Sequence, residues 1–130
     1  MIPIDTSVLI DYLRSPTDHV LRLLEANQAA IYSVTRAEVL AGARNPADLQ
    51  RIAGSLDVLD QMAIAEGLWD SLGRNLSLLR AAGVTVPFAD ALIATLAIDK
   101  HVELWTRDTH FTRIQGILAN LKLFEEPKLA

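Results

Sequence analysis

Apolar residues occur in two patterns along this chain: short continuous runs, typical of buried strands, and longer stretches repeating every three or four residues, typical of helices. The runs predict strands at residues 1–4, 29–34, 57–59, 102–106 and 120–124, with a strand or a loop at 84–86. The longer stretches predict helices at residues 7–14, 18–26, 35–42, 47–56, 63–82, 87–100 and 109–114. Such alternation favours an α/β fold of three layers (α/β/α), in which a central, mostly parallel sheet is flanked by helices.

Length and composition narrow the class of protein. A chain of 130 residues without an internal repeat or linker predicts a single domain over residues 1–130. The absence of cysteine excludes a disulfide framework and a thiolate metal site. The sequence has neither an apolar stretch near the ~20 residues of a membrane span nor a basic amino-terminal leader, so we expect a cytoplasmic protein with no membrane partner.

The net charge of −4, from 16 acidic and 12 basic residues, argues against a duplex-DNA binder of the usual basic kind. Where the acids lie matters more than their number. Four of them follow predicted strands: Asp5, Glu38, Asp90 and Asp108. Because functional sites of parallel sheets lie beyond the carboxyl ends of the strands, we expect these four side chains to meet at one edge.

Each acid also has a purely structural interpretation. Thr35 and Glu38 have the spacing of a capping box. Asp5 and Asp108 would cap the segments that follow them, and Asp90 would interact with a helix dipole. Four converging carboxylates would nevertheless repel one another strongly without a cation. An all-oxygen set without cysteine suits Mg²⁺ or Mn²⁺ rather than zinc, and such a site suits phosphoryl chemistry.

Four segments resemble, in order, the four motifs of PIN domains. They are IDTSVLID at 4–11, TRAEVLAG at 35–42, DALIA at 90–94 and LWTRDTHF at 104–111. The resemblance covers nearly the whole chain, and the spacing is similar to that of VapC-type toxins of type II toxin–antitoxin pairs. Some relatives carry an acid two residues after the fourth acidic position, where this chain has His110.

The resemblance implies an endoribonuclease toxin dependent on Mg²⁺ or Mn²⁺. It also implies a homodimer, an RNA substrate and inhibition by a cognate VapB-type antitoxin in a hetero-oligomer. The implied catalytic and metal-binding residues are Asp5, Glu38, Asp90 and Asp108. Asp5 and Asp90 are the leading candidates for direct ligands, whereas Asp108 binds directly or through water. The hydroxyls of Ser7 and Thr106 are expected to hydrogen-bond these carboxylates and fix their rotamers.

Other classes fit less well. A phosphoacceptor receiver domain needs paired acids after the first strand, and a dinucleotide-binding domain needs a glycine-rich first turn; the sequence has neither. The remaining alternative is a non-catalytic PIN-like module that binds RNA or protein. Arg36, Arg107 and Arg113 would grip RNA phosphates or be solvated or ion-paired. His110 is expected to be a surface or capping residue rather than a ligand.

Overall fold

A computed structural model describes residues 1–15 and 17–127, so residues 16 and 128–130 of the predicted single domain lie outside the described residues. The helices are α1 (Thr6–Arg14), α2 (Asp18–Ala26), α3 (Ser33–Ala41), α4 (Pro46–Asp57), α5 (Leu68–Ala81), α6 (Phe88–Lys100) and α7 (His110–Ile117). The strands are β1 (Ile2–Pro3), β2 (Ala29–Tyr32), β3 (Asp60–Met62), β4 (Glu103–Leu104) and β5 (Lys122–Leu123). None of the helices in the described ranges is long and apolar enough to cross a lipid bilayer.

The five strands of the described residues together form one parallel β-sheet. β1 pairs with β2, β2 with β3, and β4 with β5, all in parallel. A parallel bridge between Ile4 and Trp105 joins the end of β1 to the end of β4. The strand order is therefore β3-β2-β1-β4-β5, and the predicted parallel sheet is confirmed.

Two hydrophobic clusters cover the two faces of this sheet. One contains Ile31 and Trp105 together with residues of α1 to α4. The other contains their neighbours Tyr32 and Leu104 together with residues of α5, α6 and α7. Successive strand residues point to opposite faces of a sheet, which explains why neighbours belong to different clusters. The three-layer α/β/α architecture predicted from the sequence is confirmed.

The sheet order creates a crevice. From β1 the chain continues to β2 and β3 on one side and returns to β4 and β5 on the other. In open parallel sheets, ligands bind outside the carboxyl ends of the strands at the point where the order reverses. Here that point lies between the ends of β1 and β4, which are followed by Asp5 and Thr106.

Several predicted element boundaries are wrong. Residues 57–59 are not a strand, because α4 continues to Asp57 and a turn follows, in which the Leu59 amide donates to the Leu56 carbonyl. The edge strand β3 follows at Asp60–Met62. Helix α5 begins at Leu68 rather than residue 63, and residues 84–86 form a loop. Ile64, outside the helix, still packs against the core, which explains why it extended the apolar stripe.

Candidate metal centre

Asp5 connects the first strand to the first helix. Its Oδ1 accepts hydrogen bonds from the Ser7 amide at 3.1 Å and the Val8 amide at 3.4 Å, and it thereby caps the amino terminus of α1. The residue is 4% exposed. The structural interpretation of Asp5 as a helix cap is therefore correct, but it does not account for the second carboxylate oxygen.

Two side-chain hydroxyl groups donate hydrogen bonds to the Asp5 carboxylate. The Ser7 hydroxyl donates to Oδ1, and the Thr106 hydroxyl donates to Oδ2 at 2.7 Å. Thr106 Oγ1 also accepts from the backbone amide of Asp108 at 3.0 Å. A single hydroxyl at the end of β4 thus orients one carboxylate directly and the backbone of a second acid.

Asp90, Asp108 and His110 form a tight group. Asp90 lies in the first turn of α6, and His110 is the first residue of α7. The ring nitrogen Nδ1 of His110 lies 3.1 Å from Asp90 Oδ2 and 3.4 Å from Asp108 Oδ1. One ligand atom from each residue lies within 4.8 Å of the other two, a spacing compatible with a metal ion.

Glu38 approaches from α3. Its Oε1 accepts a hydrogen bond from the Thr6 hydroxyl at 3.2 Å. The capping-box interpretation is wrong, because α3 begins at Ser33 and its cap position is Tyr32. Thr35 therefore lies inside the helix, buried and with its hydroxyl unpaired among the described residues. Glu38 is consequently one turn further along the helix than predicted.

All four predicted acids line one cavity of about 400 Å³, together with Ser7, Arg107 and His110. Burial raises the pKa of Asp5, against the lowering effect of its hydrogen bonds to Ser7 and Thr106. Burial also raises the pKa of Glu38, and the charges of Asp90 and Asp5 raise it further. Burial raises the pKa of Asp90, and the charge of Asp108 raises it further, against the lowering effect of the hydrogen bond with His110. The carboxylates therefore repel one another across the cavity.

Among the described residues, lysine and arginine side chains do not relieve this repulsion. Arg107 lines the cavity, but its guanidinium pairs with Asp11 at 3.1 Å and with Glu126 at 2.7 Å rather than with one of the four acids. Arg36 pairs with Asp57 at 2.9 Å. For both arginines the ion-paired alternative is correct. Within residues 1–15 and 17–127, no lysine or arginine forms an ion pair with any of the four acids.

Sequence reasoning missed His110 as a member of the site. Its position two residues after Asp108 was the available signal, since some PIN domains carry an acid there. Helix periodicity places His110 at the start of a predicted helical turn, and a capping role explains a histidine at that position without a metal. The donor set consists of carboxylate oxygens and one imidazole nitrogen, and no lysine or arginine of the described residues pairs with the four acids. Such a set fits a divalent cation.

The raised pKa values predict how stability depends on pH. Asp5, Glu38 and Asp90 hold protons more tightly in the folded chain than in the unfolded chain. Their contribution to stability is therefore complete below their ordinary pKa values and is lost as the pH rises through the raised values. In EDTA, Asp5→Asn is expected to raise the melting temperature by a few °C at pH 7 and by almost nothing near pH 3.5. Thermal melts across this range measure the difference, and an equal effect at both pH values would contradict the prediction.

Comparison with known proteins adds family information to this geometry. A family model described as PIN domain matches residues 2–117. A sequence relative, Ribonuclease VapC1 of Methanocaldococcus jannaschii, is 29% identical over 124 residues, which cover 95% of this chain and 86% of the relative.

Two solved structures share the fold. DNA-bound VapBC from Salmonella typhimurium gives a TM-score of 0.82 at 22% identity, covering 95% of this chain and 98% of that chain. VapBC2 from Rickettsia felis, bound to a DNA fragment from its promoter, gives 0.80 at 24% identity, with the same coverage of the two chains. At these identities the two matches bear on the fold alone.

Proposed function

Because this chain belongs to the PIN domain family, we propose that it is a divalent-metal-dependent endoribonuclease and a VapC-type toxin. The observation that carries the proposal is the convergence of Asp5, Glu38, Asp90 and Asp108 on one cavity. Among the described residues, no lysine or arginine forms an ion pair with these four acids. The sequence relative named Ribonuclease VapC1 supports the choice of RNA as substrate. The proposed unit of activity is the single domain of residues 1–130.

The sequence favours Asp5 and Asp90 as direct ligands. Because Asp90 and Asp108 belong to the tight group, we propose these two as direct ligands instead, with Asp5 and Glu38 completing the site directly or through water. A carboxylate offers about four lone pairs. Asp5 Oδ1 accepts three of the hydrogen bonds described above, whereas Oδ2 accepts only that of Thr106 among the described residues. Asp5 can therefore turn one lone pair of Oδ2 toward a cation while its rotamer stays fixed. Asp5 would therefore contribute to the site, directly or through water, without changing its position.

The fold favours an anion at this edge of the sheet once the acids are neutralised. Helices α1, α6 and α7 all begin at the cavity, at Thr6, Phe88 and His110. Their amino termini carry partial positive charge and present backbone N–H groups. A bound divalent cation, usually Mg²⁺ or Mn²⁺, would neutralise charge on a scissile phosphate and activate water. Hydrolysis then breaks the P–O3′ bond and leaves a 3′-hydroxyl and a 5′-phosphate.

The proposed partner is a VapB-type antitoxin that inhibits the enzyme, in a hetero-oligomer built on a homodimer of this chain. Structural neighbours from Salmonella typhimurium and Rickettsia felis are described as VapBC. A toxin–antitoxin complex from Klebsiella pneumoniae is 28% identical to this chain, with a TM-score of 0.66.

Metal removal tests the function. Purified protein incubated with total RNA in Mg²⁺ or Mn²⁺ is expected to produce discrete internal cuts, mapped by sequencing of 5′-phosphate ends. EDTA is expected to abolish the cuts, and excess Mn²⁺ to restore them. Cutting that persists in EDTA would refute metal dependence. RNA binding without cutting at any metal concentration would favour the non-catalytic module instead.

A further inference from the structure

We propose that His110 ligates the metal directly, so that Asp90, Asp108 and His110 form a mixed oxygen–nitrogen site selective for first-row transition-metal ions such as Mn²⁺ over Mg²⁺. The inference rests on the metal site of the proposed function. It concerns His110, the residue of the tight group that the sequence did not predict as a metal ligand.

The distances within the group match a single coordination sphere. Ligands at about 2.1 Å in octahedral geometry place adjacent donor atoms about 3.0 Å apart. His110 Nδ1 lies 3.1 Å from Asp90 Oδ2 and 3.4 Å from Asp108 Oδ1. The third pair, Asp90 and Asp108, has ligand atoms within 4.8 Å of each other, so the three residues are close enough to bind one ion.

The backbone holds the three residues in this arrangement. The Asp90 amide donates to the Pro87 carbonyl at the start of α6. The Asp108 amide donates to the Thr106 hydroxyl, and the His110 amide donates to Asp108 Oδ1 at 2.9 Å. A site whose ligands are positioned before the ion arrives loses little entropy on binding.

One hydrogen bond from the His110 ring cannot serve both neighbouring carboxylates. A single ring N–H donates well to one acceptor, yet Nδ1 faces two carboxylates at similar distances. A cation between the three residues interacts favourably with both carboxylates and with the nitrogen lone pair, provided that the ring proton is on Nε2. The His110 side chain is 42% exposed, so an ion can reach it from solvent.

Nitrogen ligation determines which ion is preferred. Oxygen ligands suit both Mg²⁺ and Mn²⁺, but Mg²⁺ dehydrates reluctantly and keeps several waters. Imidazole suits transition metals, whose affinity for a mixed oxygen–nitrogen site rises from Mn²⁺ to Co²⁺. The His110 ligand is therefore expected to favour Mn²⁺, and Co²⁺ more strongly, over Mg²⁺. An acid at position 110 would remove this preference.

Pulsed electron paramagnetic resonance of the Mn²⁺-loaded protein tests the assignment independently of activity. The wild-type chain is expected to show modulation from a coordinated imidazole nitrogen, which His110→Asn abolishes. His110→Asn should also weaken Mn²⁺ binding, measured by calorimetry, at least tenfold, while Mg²⁺ affinity changes less than threefold. His110→Asp, which restores an oxygen ligand, should bind Mg²⁺ more tightly than the wild-type chain.

His101→Asn is the matched control. His101 ends α6 in the left-handed conformation at φ 55°, which asparagine adopts readily. It lies at the opposite end of the helix from Asp90, 11 residues and about 16 Å away along the helix axis. This variant should keep the nitrogen signal and the Mn²⁺ affinity of the wild-type chain.

The outcomes separate this inference from the proposed function. Stoichiometric Mn²⁺ binding without nitrogen modulation, or modulation that survives in His110→Asn, overturns the His110 assignment and leaves an all-carboxylate nuclease site intact. No Mn²⁺ binding by the folded wild-type chain overturns both. Circular dichroism of each variant verifies that the fold is retained.

Discussion

Replacing Asp90 with asparagine is expected to lower metal-dependent RNA cleavage by about 100-fold or more. Even partners that only orient a metal ligand change affinity or activity 10- to 100-fold, and Asp90 is proposed to bind the ion itself. Asparagine keeps the shape of the side chain but removes the charge that the cation neutralises. Initial rates on a defined RNA, at saturating Mn²⁺ and at fixed pH, measure the loss.

Asp99→Asn is the matched control for this loss. Asp99 is exposed near the carboxyl end of α6, the same helix that carries Asp90 in its first turn. The same chemical change there should leave the rate within twofold. If Asp90→Asn retained full activity, or if both variants lost it equally, Asp90 would have no specific role in the reaction.

Thr106→Val is expected to reduce cleavage by about 10- to 100-fold through loss of orientation. The Thr106 hydroxyl donates to Asp5 Oδ2 and accepts from the Asp108 amide, so valine removes one hydrogen bond that orients Asp5 and one that orients the Asp108 backbone. Its hydrogen bond lowers the pKa of Asp5, against the dominant raising effect of burial. The variant should therefore move the acidic limb of the pH–rate profile to higher pH.

The shift in the pH profile distinguishes positioning from general damage to the fold. Thr112→Val makes the same substitution on the exposed side of α7 and should change neither the rate nor the profile. A Thr106→Val protein with reduced rate but an unmoved acidic limb would show that the hydroxyl does not tune Asp5.

The sequence predicts the order of helices and strands, because alternating apolar patterns survive wherever an element is buried. Strand β2 is buried throughout, and α6 has seven consecutive buried residues from Ala91 to Ala97. These elements position the edge where the acids lie. Parallel topology alone places Asp5 and Asp108 at this edge, because they follow β1 and β4. Asp90 instead reaches the edge from the first turn of α6, which follows a loop.

Element boundaries could not be predicted where burial gives no periodic signal. The edge strand β3 has two exposed polar residues, Asp60 and Gln61, and it exists because its backbone pairs with β2. The start of α3 was misplaced because Thr35 and Glu38 imitate a capping box. The position of β3 and the start of α3 both depend on contacts between distant segments, which the apolar pattern of the sequence does not show.

The sequence also could not predict which side chains from distant segments contact one another. Arg107 lies beside the cavity, but whether it faces substrate depends on Glu126, which is 19 residues away and adjacent only in the folded chain. The approach of His110 to Asp90 likewise depends on how α7 packs against α6. Motif spacing indicates which acids converge but not which neighbouring side chains approach them.

The hydrogen bond between Thr106 and Asp5 joins residues 101 positions apart in the chain, and this separation has a kinetic consequence. Closing a loop of about 100 residues costs about 4 kcal/mol of chain entropy before any contact compensates. Local helices form in microseconds, whereas parallel pairing of distant strands is slow. A folding intermediate that has paired β1 with β2 but not yet docked β4 lacks the support of Asp5 and the whole Asp108 side of the cavity. We therefore expect the metal site to be completed late in folding, when β4 docks beside β1.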